Sequence, residues 1–201
     1  INVKQNSGAM RVGVVGLGAG TLAVYGRKGD TYRFYEINPQ VIDLARREFS
    51  FLGDSAAHIE TLLGDARLTM EREPAQRYDV LAIDAFSSDS IPTHLMTQQA
   101  MGVYLKNMKP DGVIAFHVTN RFLNLAPIVK RIADEHGLHT TLVVDELADD
   151  DDLAKTDWVL VSRDAAILAH PKISESAFTI REIPDLRLWT DSFNNLFKIL
   201  K

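Results

Sequence analysis

Four places along this sequence set a glycine loop or an acid at the end of an apolar, strand-like run. Gly16-Leu17-Gly18-Ala19-Gly20 follows the first such run, Arg11–Gly16. Its spacing is G-x-G-x-G, with Thr21 where a dinucleotide fingerprint would want its third glycine. Such a loop suits backbone contact with a nucleoside that has no pyrophosphate to cradle. Glu36 comes near the end of the second run, Thr31–Ile37, where a carboxylate can accept two hydrogen bonds from a ribose diol. The plainer reading of Glu36 is an exposed strand-end acid. Gly64-Asp65-Ala66-Arg67 follows Ile59–Leu63, and Asp65 is either a simple helix N-cap or an acceptor for an exocyclic adenine amine. Tyr78–Ile83 leads into Asp84-Ala85-Phe86-Ser87-Ser88-Asp89-Ser90-Ile91-Pro92, and loops of that composition, with acids, serines and a proline, are where active-site groups concentrate. Four consecutive strand ends equipped in this way weigh more than any one of them.

The elements that must position these groups alternate between strand and helix. A helix-like stretch runs from Gly20 to about Arg27, and a helix opened by Pro39 continues to about Phe49, placing Val41, Leu44, Ala45 and Phe49 near one face. Gly112–Val118 reads as the fifth strand. Helices are expected over Thr97–Met108 and Leu125–His136, the second closed by Gly137. His139–Asp145 and Asp157–Ser162 read as late strands. Between them Ala148–Leu153, with aspartate at each position from Asp149 to Asp152, reads as a solvated loop. This alternation predicts an α/β fold, a doubly wound, mostly parallel sheet with helices on both faces. It is expected as one domain over 11–201, preceded by a polar arm over 1–10. Ligands of open α/β sheets bind beyond the carboxyl ends of the strands, where the four equipped loops fall.

Composition narrows the chemistry. The 201 residues contain no cysteine, which excludes disulfides, zinc–thiolate sites, iron–sulfur clusters and thiol catalysis. Lys plus Arg total 22 against 27 Asp plus Glu, a net charge of −5, and no basic stripe for a nucleic acid is visible. The longest uncharged stretch, Val12–Gly26, is 15 residues and rich in glycine, against the roughly 20 apolar residues a membrane span needs. The first ten residues lack the apolar centre of a signal peptide, and a chain that opens on Ile1 reads as a fragment. His58, His136, His139 and His170 have no metal-ligand spacing, so no metal is expected. His94 reads as a surface-loop histidine. His117, at a strand end, reads equally as a site residue or a hydrogen-bonded structural one. Met101 and Tyr104 read as core, Trp158 and Trp189 as packing residues. No G-x-S-x-G nucleophile elbow is present.

GLGAG, YEINP, GDARL and above all DAFSSDSIPTHL resemble the polyamine aminopropyltransferases, the spermidine synthase family. The closest likeness is to a branch often fused to a transporter-like membrane segment. The similarity runs from about Arg11 to the C-terminus and includes Leu188-Trp189-Thr190-Asp191. It implies the methyltransferase-type Rossmann-like fold, mostly parallel with a late antiparallel strand, and a donor related to S-adenosylmethionine. The implied activity moves an aminopropyl group from decarboxylated S-adenosylmethionine to a diamine or polyamine and releases methylthioadenosine, as a step of polyamine biosynthesis. By the same resemblance Gly16, Gly18 and Gly20 line the donor, Glu36 holds its ribose, and Asp65 with Ala66 meets the adenine. Asp89 matches the catalytic aspartate, and Asp84, counted with both the catalytic and the donor-binding groups, is the earlier acid of that motif. The expected partner is a small-molecule amine, the expected location cytoplasmic with membrane attachment of a longer gene product left open, and a homodimer is compatible with the family's habit.

The family carries an aspartate in its glycine loop where this chain has Ala19. It has a Gln/Glu-rich segment where this chain reads His117-Val118-Thr119-Asn120-Arg121. Its N-terminal β-rich segment, with an amine-binding tyrosine, has no counterpart before residue 11, so a partial active site is expected. Two alternatives therefore stay open. One is an S-adenosylmethionine-dependent methyltransferase, since a helix N-terminus after Gly20 would favour the carboxylate of the intact donor. The other is a non-catalytic nucleoside-binding remnant of a larger chain.

Overall fold

A computed structural model describes residues 1, 3–4, 8–85, 92–144 and 156–201. The Asp89 loop over 86–91, Asp145 and the aspartates Asp149–Asp152 lie outside the described residues. Eight strands make a mixed α/β sheet, mostly parallel, with antiparallel strands toward the C-terminus. The chain divides into two compact units, Ile1–Ala85 with Val103–Gly112, and Phe86–Gly102 with Val113–Lys201.

The first unit is built on β1 (Arg11–Val15), β2 (Thr31–Glu36), β3 (His58–Leu63) and β4 (Tyr78–Ile83), in the order β3-β2-β1-β4 and parallel throughout its described pairings. Val12, Val14 and Val15 are buried on β1, and Tyr32, Phe34 and Tyr35 on β2, the near-continuous apolar run of a strand covered on both faces. Gly13 interrupts that run because a Cβ there would lie 2.8 Å from the Tyr78 ring. Tyr35 and Tyr78 meet hydroxyl to hydroxyl at 2.7 Å, and burial pushes both phenols up. Arg33 ties the same region to Glu60 at 2.7 Å and to Glu73.

After β2 the chain enters α1 (Pro39–Glu48), with Pro39 in its first turn and the Asn38 side chain accepting from Gln40 N at 3.0 Å. The buried stripe of α1 is Ile42 and Ala45. Ala45 was expected on that face, but Leu44 and Phe49, expected there too, are 53% and 43% exposed, because the inward face is centred on Ile42 and Ala45 and the helix stops before Phe49. The one-turn α2 (Phe51–Asp54) follows, then α3 (Ala66–Arg72) after β3. The helix expected from Gly20 to Arg27 is a five-residue 3-10 segment, Thr21–Tyr25, closed by the i to i+3 bond from Gly26 N to Ala23 O at 3.0 Å. Glycines bracket it and Thr21 and Val24 are β-branched, so the stretch has little propensity to extend.

The second unit holds the later part of β5 (Met108–His117) with β6 (His139–Val144), β7 (Asp157–Ser162) and the short β8 (Ala177–Phe178). Its order is β5-β7-β6-β8, antiparallel at each described pairing. β5 starts at Met108 and takes up the end of the helix expected over Thr97–Met108, so α4 covers Gln98–Asn107. α5 (Ala126–Glu135) buries Ile128, Val129, Ile132 and Ala133, and Gly137 follows its end at φ +65°. The one-turn α6 (Ala165–Leu168) and α7 (Pro171–Ser174) complete the helices. Met101, Tyr104 and Trp189 are buried, as core residues should be. Among the described residues no helix is long and apolar enough to cross a membrane.

One buried carboxylate fastens the start of the first unit. The Asp30 side chain is 1% exposed. It accepts from Met10 N at 2.8 Å and from Arg27 N at 3.1 Å. Burial alone would raise its pKa, but the donors Met10 and Arg27 outweigh that and hold the carboxyl below the ordinary range. Its stabilisation is therefore present above about pH 4, where an unfolded aspartate is ionised, and is lost as pH falls through the lower folded value. Asp30→Ala leaves the Met10 N–H buried without its acceptor and is expected to cost about 1–3 kcal/mol at pH 7. Urea unfolding of both proteins at pH 7 and pH 3 checks this: the gap between them should narrow on acidification.

Candidate nucleoside-binding site

The order β3-β2-β1-β4 contains a switch point. The chain steps from β1 outward to β3 and then returns to the other side of β1 as β4. A crevice opens outside the carboxyl ends of the strands at such a point. The ends are tied in a row by backbone hydrogen bonds: Gly64 N to Glu36 O at 2.8 Å, Gly16 N to Tyr35 O at 2.9 Å, and Asp84 N to Val15 O at 2.8 Å. The row therefore presents Asp65, Glu36, the glycine loop and Asp84 at successive strand ends, in the strand order of the sheet.

Gly16 has φ +96°, and a Cβ there would fall 2.3 Å from the Asp84 carbonyl oxygen. No side chain fits, so the first duty of Gly16 is to let the ends of β1 and β4 meet. Gly18, at φ +54°, is exposed and has nothing within 4 Å of where a Cβ would stand, which leaves open space over the loop. Gly20 is held against Leu52, 2.7 Å from the position of a Cβ. The glycines thus divide between closing the fold and leaving room.

Glu36 is fixed by the loop it faces. Its Oε2 accepts from Leu17 N at 3.0 Å and its Oε1 from Asn38 N at 2.9 Å. Each carboxylate oxygen has a further lone pair, so the group can still accept from a diol. Asp65 caps α3, with Oδ1 accepting from Leu68 N at 2.8 Å. The cap is the plainer of its two sequence readings, and it holds the carboxylate at the end of β3. Ala66, the first residue of α3, is 6% exposed. Asp84 is half-buried at the end of β4. Three carboxylates in this row favour a ligand carrying positive charge.

The remaining candidates fall elsewhere. Asp89 lies outside the described residues. His94 is exposed on the 3-10 turn Thr93–Leu95. His117 ends β5 in the second unit, its Nε2 2.8 Å from Thr119 Oγ1 and its ring stacked on Trp158. Asp191, of the Leu188-Trp189-Thr190-Asp191 motif, accepts from Thr97 Oγ1 at 2.7 Å, and Gln98 N donates to Trp189 O at 2.9 Å, so that motif fastens the start of α4. Among the described residues no group of three or more His, Asp or Glu could hold a metal ion. The backbone N–H groups of Leu17 and Asn38, which orient Glu36, escaped the sequence reading. Asn38-Pro39, the mark of a helix start, was their one signal.

No family model matches the chain. A curated relative, the polyamine aminopropyltransferase of Vibrio vulnificus, is 32% identical over 117 residues, 56% of this chain and 38% of that protein. The chain thus spans well under half of that relative's length. Among solved structures, spermidine synthase from Thermotoga maritima superposes with a TM-score of 0.61 at 14% identity, over 87% of this chain and 62% of that one. Human methyltransferase-like protein 13, in complex with SAH, superposes with a TM-score of 0.60 at 17% identity, over 89% and 86%. At such identities the structures speak for the fold, a methyltransferase-type Rossmann-like sheet. The curated relative bears out the resemblance to the polyamine aminopropyltransferases, and the solved structures bear out the fold that the resemblance implies.

Proposed function

We propose that this chain transfers an aminopropyl group from decarboxylated S-adenosylmethionine to a diamine or polyamine. The observation that carries the reading is the row of strand-end groups at the switch point, with Glu36 bonded to Leu17 N at 3.0 Å beside the open space over Gly18. The 32% identity to a polyamine aminopropyltransferase supports it. Glu36 accepts from the ribose diol, the loop backbone at Gly16–Gly20 lies along the nucleoside, Asp65 and Ala66 border the base, and Asp84 faces the reacting end.

The reaction is a displacement at carbon. The amine nitrogen forms the new C–N bond, the C–S bond of the sulfonium breaks, and neutral methylthioadenosine leaves with the electron pair. The sulfonium supplies the leaving group, so the protein must align the partners and deliver a neutral amine. An alkylamine with a pKa of about 10.4 is only about 0.04% neutral at pH 7, and reaching that form costs roughly 4.6 kcal/mol. Asp89 is assigned the proton, taken directly or through a water. A second reading, methyl transfer from intact S-adenosylmethionine, is favoured by Ala19, which stands where the resembled family carries an aspartate.

Two substitutions separate binding from chemistry. Asp89→Asn is expected to lower aminopropyl transfer by about a hundredfold or more while donor affinity holds. Glu36→Gln gives up the ionised acceptor for the ribose and should weaken the donor about 10- to 100-fold. Turnover assays with putrescine and calorimetric donor titrations on both variants check the pair. Full turnover in Asp89→Asn would remove that residue from the chemistry.

A further inference from the structure

We infer that a second cleft on the first unit binds a zwitterionic α-amino acid with an apolar side chain, and that its occupancy steadies the glycine loop. The coupling rests on the reading of that loop as a donor site, whereas the amino-acid site stands without it. The cleft lies between the end of α1, α2 and β3, and none of the strand-end groups lines it. Its volume of about 520 Å³ is that of a small-ligand site. The side by Gly53 is open, with nothing within 4 Å of where a Cβ would stand.

The lining matches such a ligand part by part. Phe49, Leu52 and Ile59 supply apolar wall. Phe49 is stacked on Phe51, with ring centroids 6.1 Å apart and planes 15° from parallel, so that wall is formed in advance. Arg46 and Asp54, one cation and one anion, line the same cleft. Arg46 donates from Nη2 to Thr61 Oγ1, which spends one of the five N–H donors of a guanidinium. Arg47, next in sequence, is paired with Glu48 at 2.9 Å, whereas among the described residues neither Arg46 nor Asp54 is engaged in an ion pair. A carboxylate alone would meet Arg46 but approach Asp54, and an amine alone would do the converse. A zwitterion answers both charges while its side chain lies on the apolar wall.

Leu52 joins the cleft to the glycine loop. The side chain that lines the cleft also packs on Gly20, 2.7 Å from the position of a Cβ there. Ser55, directly after α2, donates from Oγ to Ala23 O at 2.7 Å and fastens α2 to the 3-10 turn that follows the loop. A ligand packed on Leu52 restricts that side chain and with it the loop, so less ordering remains to be done when the donor arrives. By linkage the donor tightens the amino acid by the same factor.

Calorimetry with L-leucine is expected to show saturable binding with a Kd of about 1 mM or below. Isocaproate, which lacks the ammonium, isoamylamine, which lacks the carboxylate, and glycine, which lacks the side chain, should each bind about threefold more weakly or worse. Arg46→Gln should weaken leucine about three- to tenfold and leave isoamylamine no weaker, and Asp54→Asn should weaken leucine and leave isocaproate no weaker. Both side chains are exposed, so neither change touches the core. No saturable leucine binding, equal binding of the three partial ligands, or unchanged affinity in both variants overturns the site. Saturating leucine is expected to lower the Kd for decarboxylated S-adenosylmethionine about two- to fivefold, and Arg46→Gln to need correspondingly more leucine for the same effect. An unchanged donor Kd overturns the coupling. Leucine binding without any donor binding upholds the site and removes the donor reading of the glycine loop, and donor binding without leucine binding does the reverse.

Discussion

Where Gly16 meets the carbonyl of Asp84, a single methyl group would fall 2.3 Å from the oxygen. The missing side chain lets the ends of β1 and β4 close on each other, and the Asp84 N to Val15 O bond at 2.8 Å holds them there. The position matters because it is the switch point of the first unit, where the chain changes direction of travel across its strands. Once β1 and β4 end together, the glycine loop and Asp84 must emerge side by side. Glu36 then joins the loop to β2 through Leu17 N, and Gly64 N joins β2 to β3 through the Glu36 carbonyl. The candidate site is the consequence of these short backbone distances more than of any one side chain.

The ligand that suits such a row is constrained by charge. Glu36, Asp65 and Asp84 occupy three of the strand ends, and the fourth is glycine backbone. Decarboxylated S-adenosylmethionine carries a sulfonium and an ammonium, while the intact molecule adds a carboxylate that such a row would repel. The one feature that argued for that carboxylate, a helix N-terminus after Gly20, is reduced to the 3-10 turn Thr21–Tyr25. Five residues of 3-10 structure align few peptide dipoles. The structure thus removes part of the case that Ala19 makes for methyl transfer.

The strands of the first unit were legible because β1 and β4 are dense apolar runs, β2 and β3 carry aromatic or β-branched residues, and a glycine or an acid stands at the end of each. β4, predicted as Tyr78–Ile83, has those bounds. Asn38-Pro39 and Asp65 announced α1 and α3 through capping chemistry that acts locally. What depended on packing between distant residues was harder. The buried face of α1 falls on Ile42 and Ala45, and the sequence favoured Leu44, a larger apolar residue that the fold leaves 53% exposed. The residues around Gly20 read as a helix by composition, yet the pair of flanking glycines ends the turn early. The site itself was legible as types at strand ends. That Gly16 serves closure while Gly18 leaves open space follows from contacts to Asp84, which no local spacing reveals.

The central claim is that the row at the switch point takes the decarboxylated donor. Calorimetric titration of the chain with decarboxylated and intact S-adenosylmethionine, side by side in one buffer, tests it without requiring an acceptor. The account predicts tighter binding of the decarboxylated form, with the difference shrinking as salt rises, since it originates in charge. Tighter binding of intact S-adenosylmethionine would contradict the account and transfer the assignment to methyl transfer.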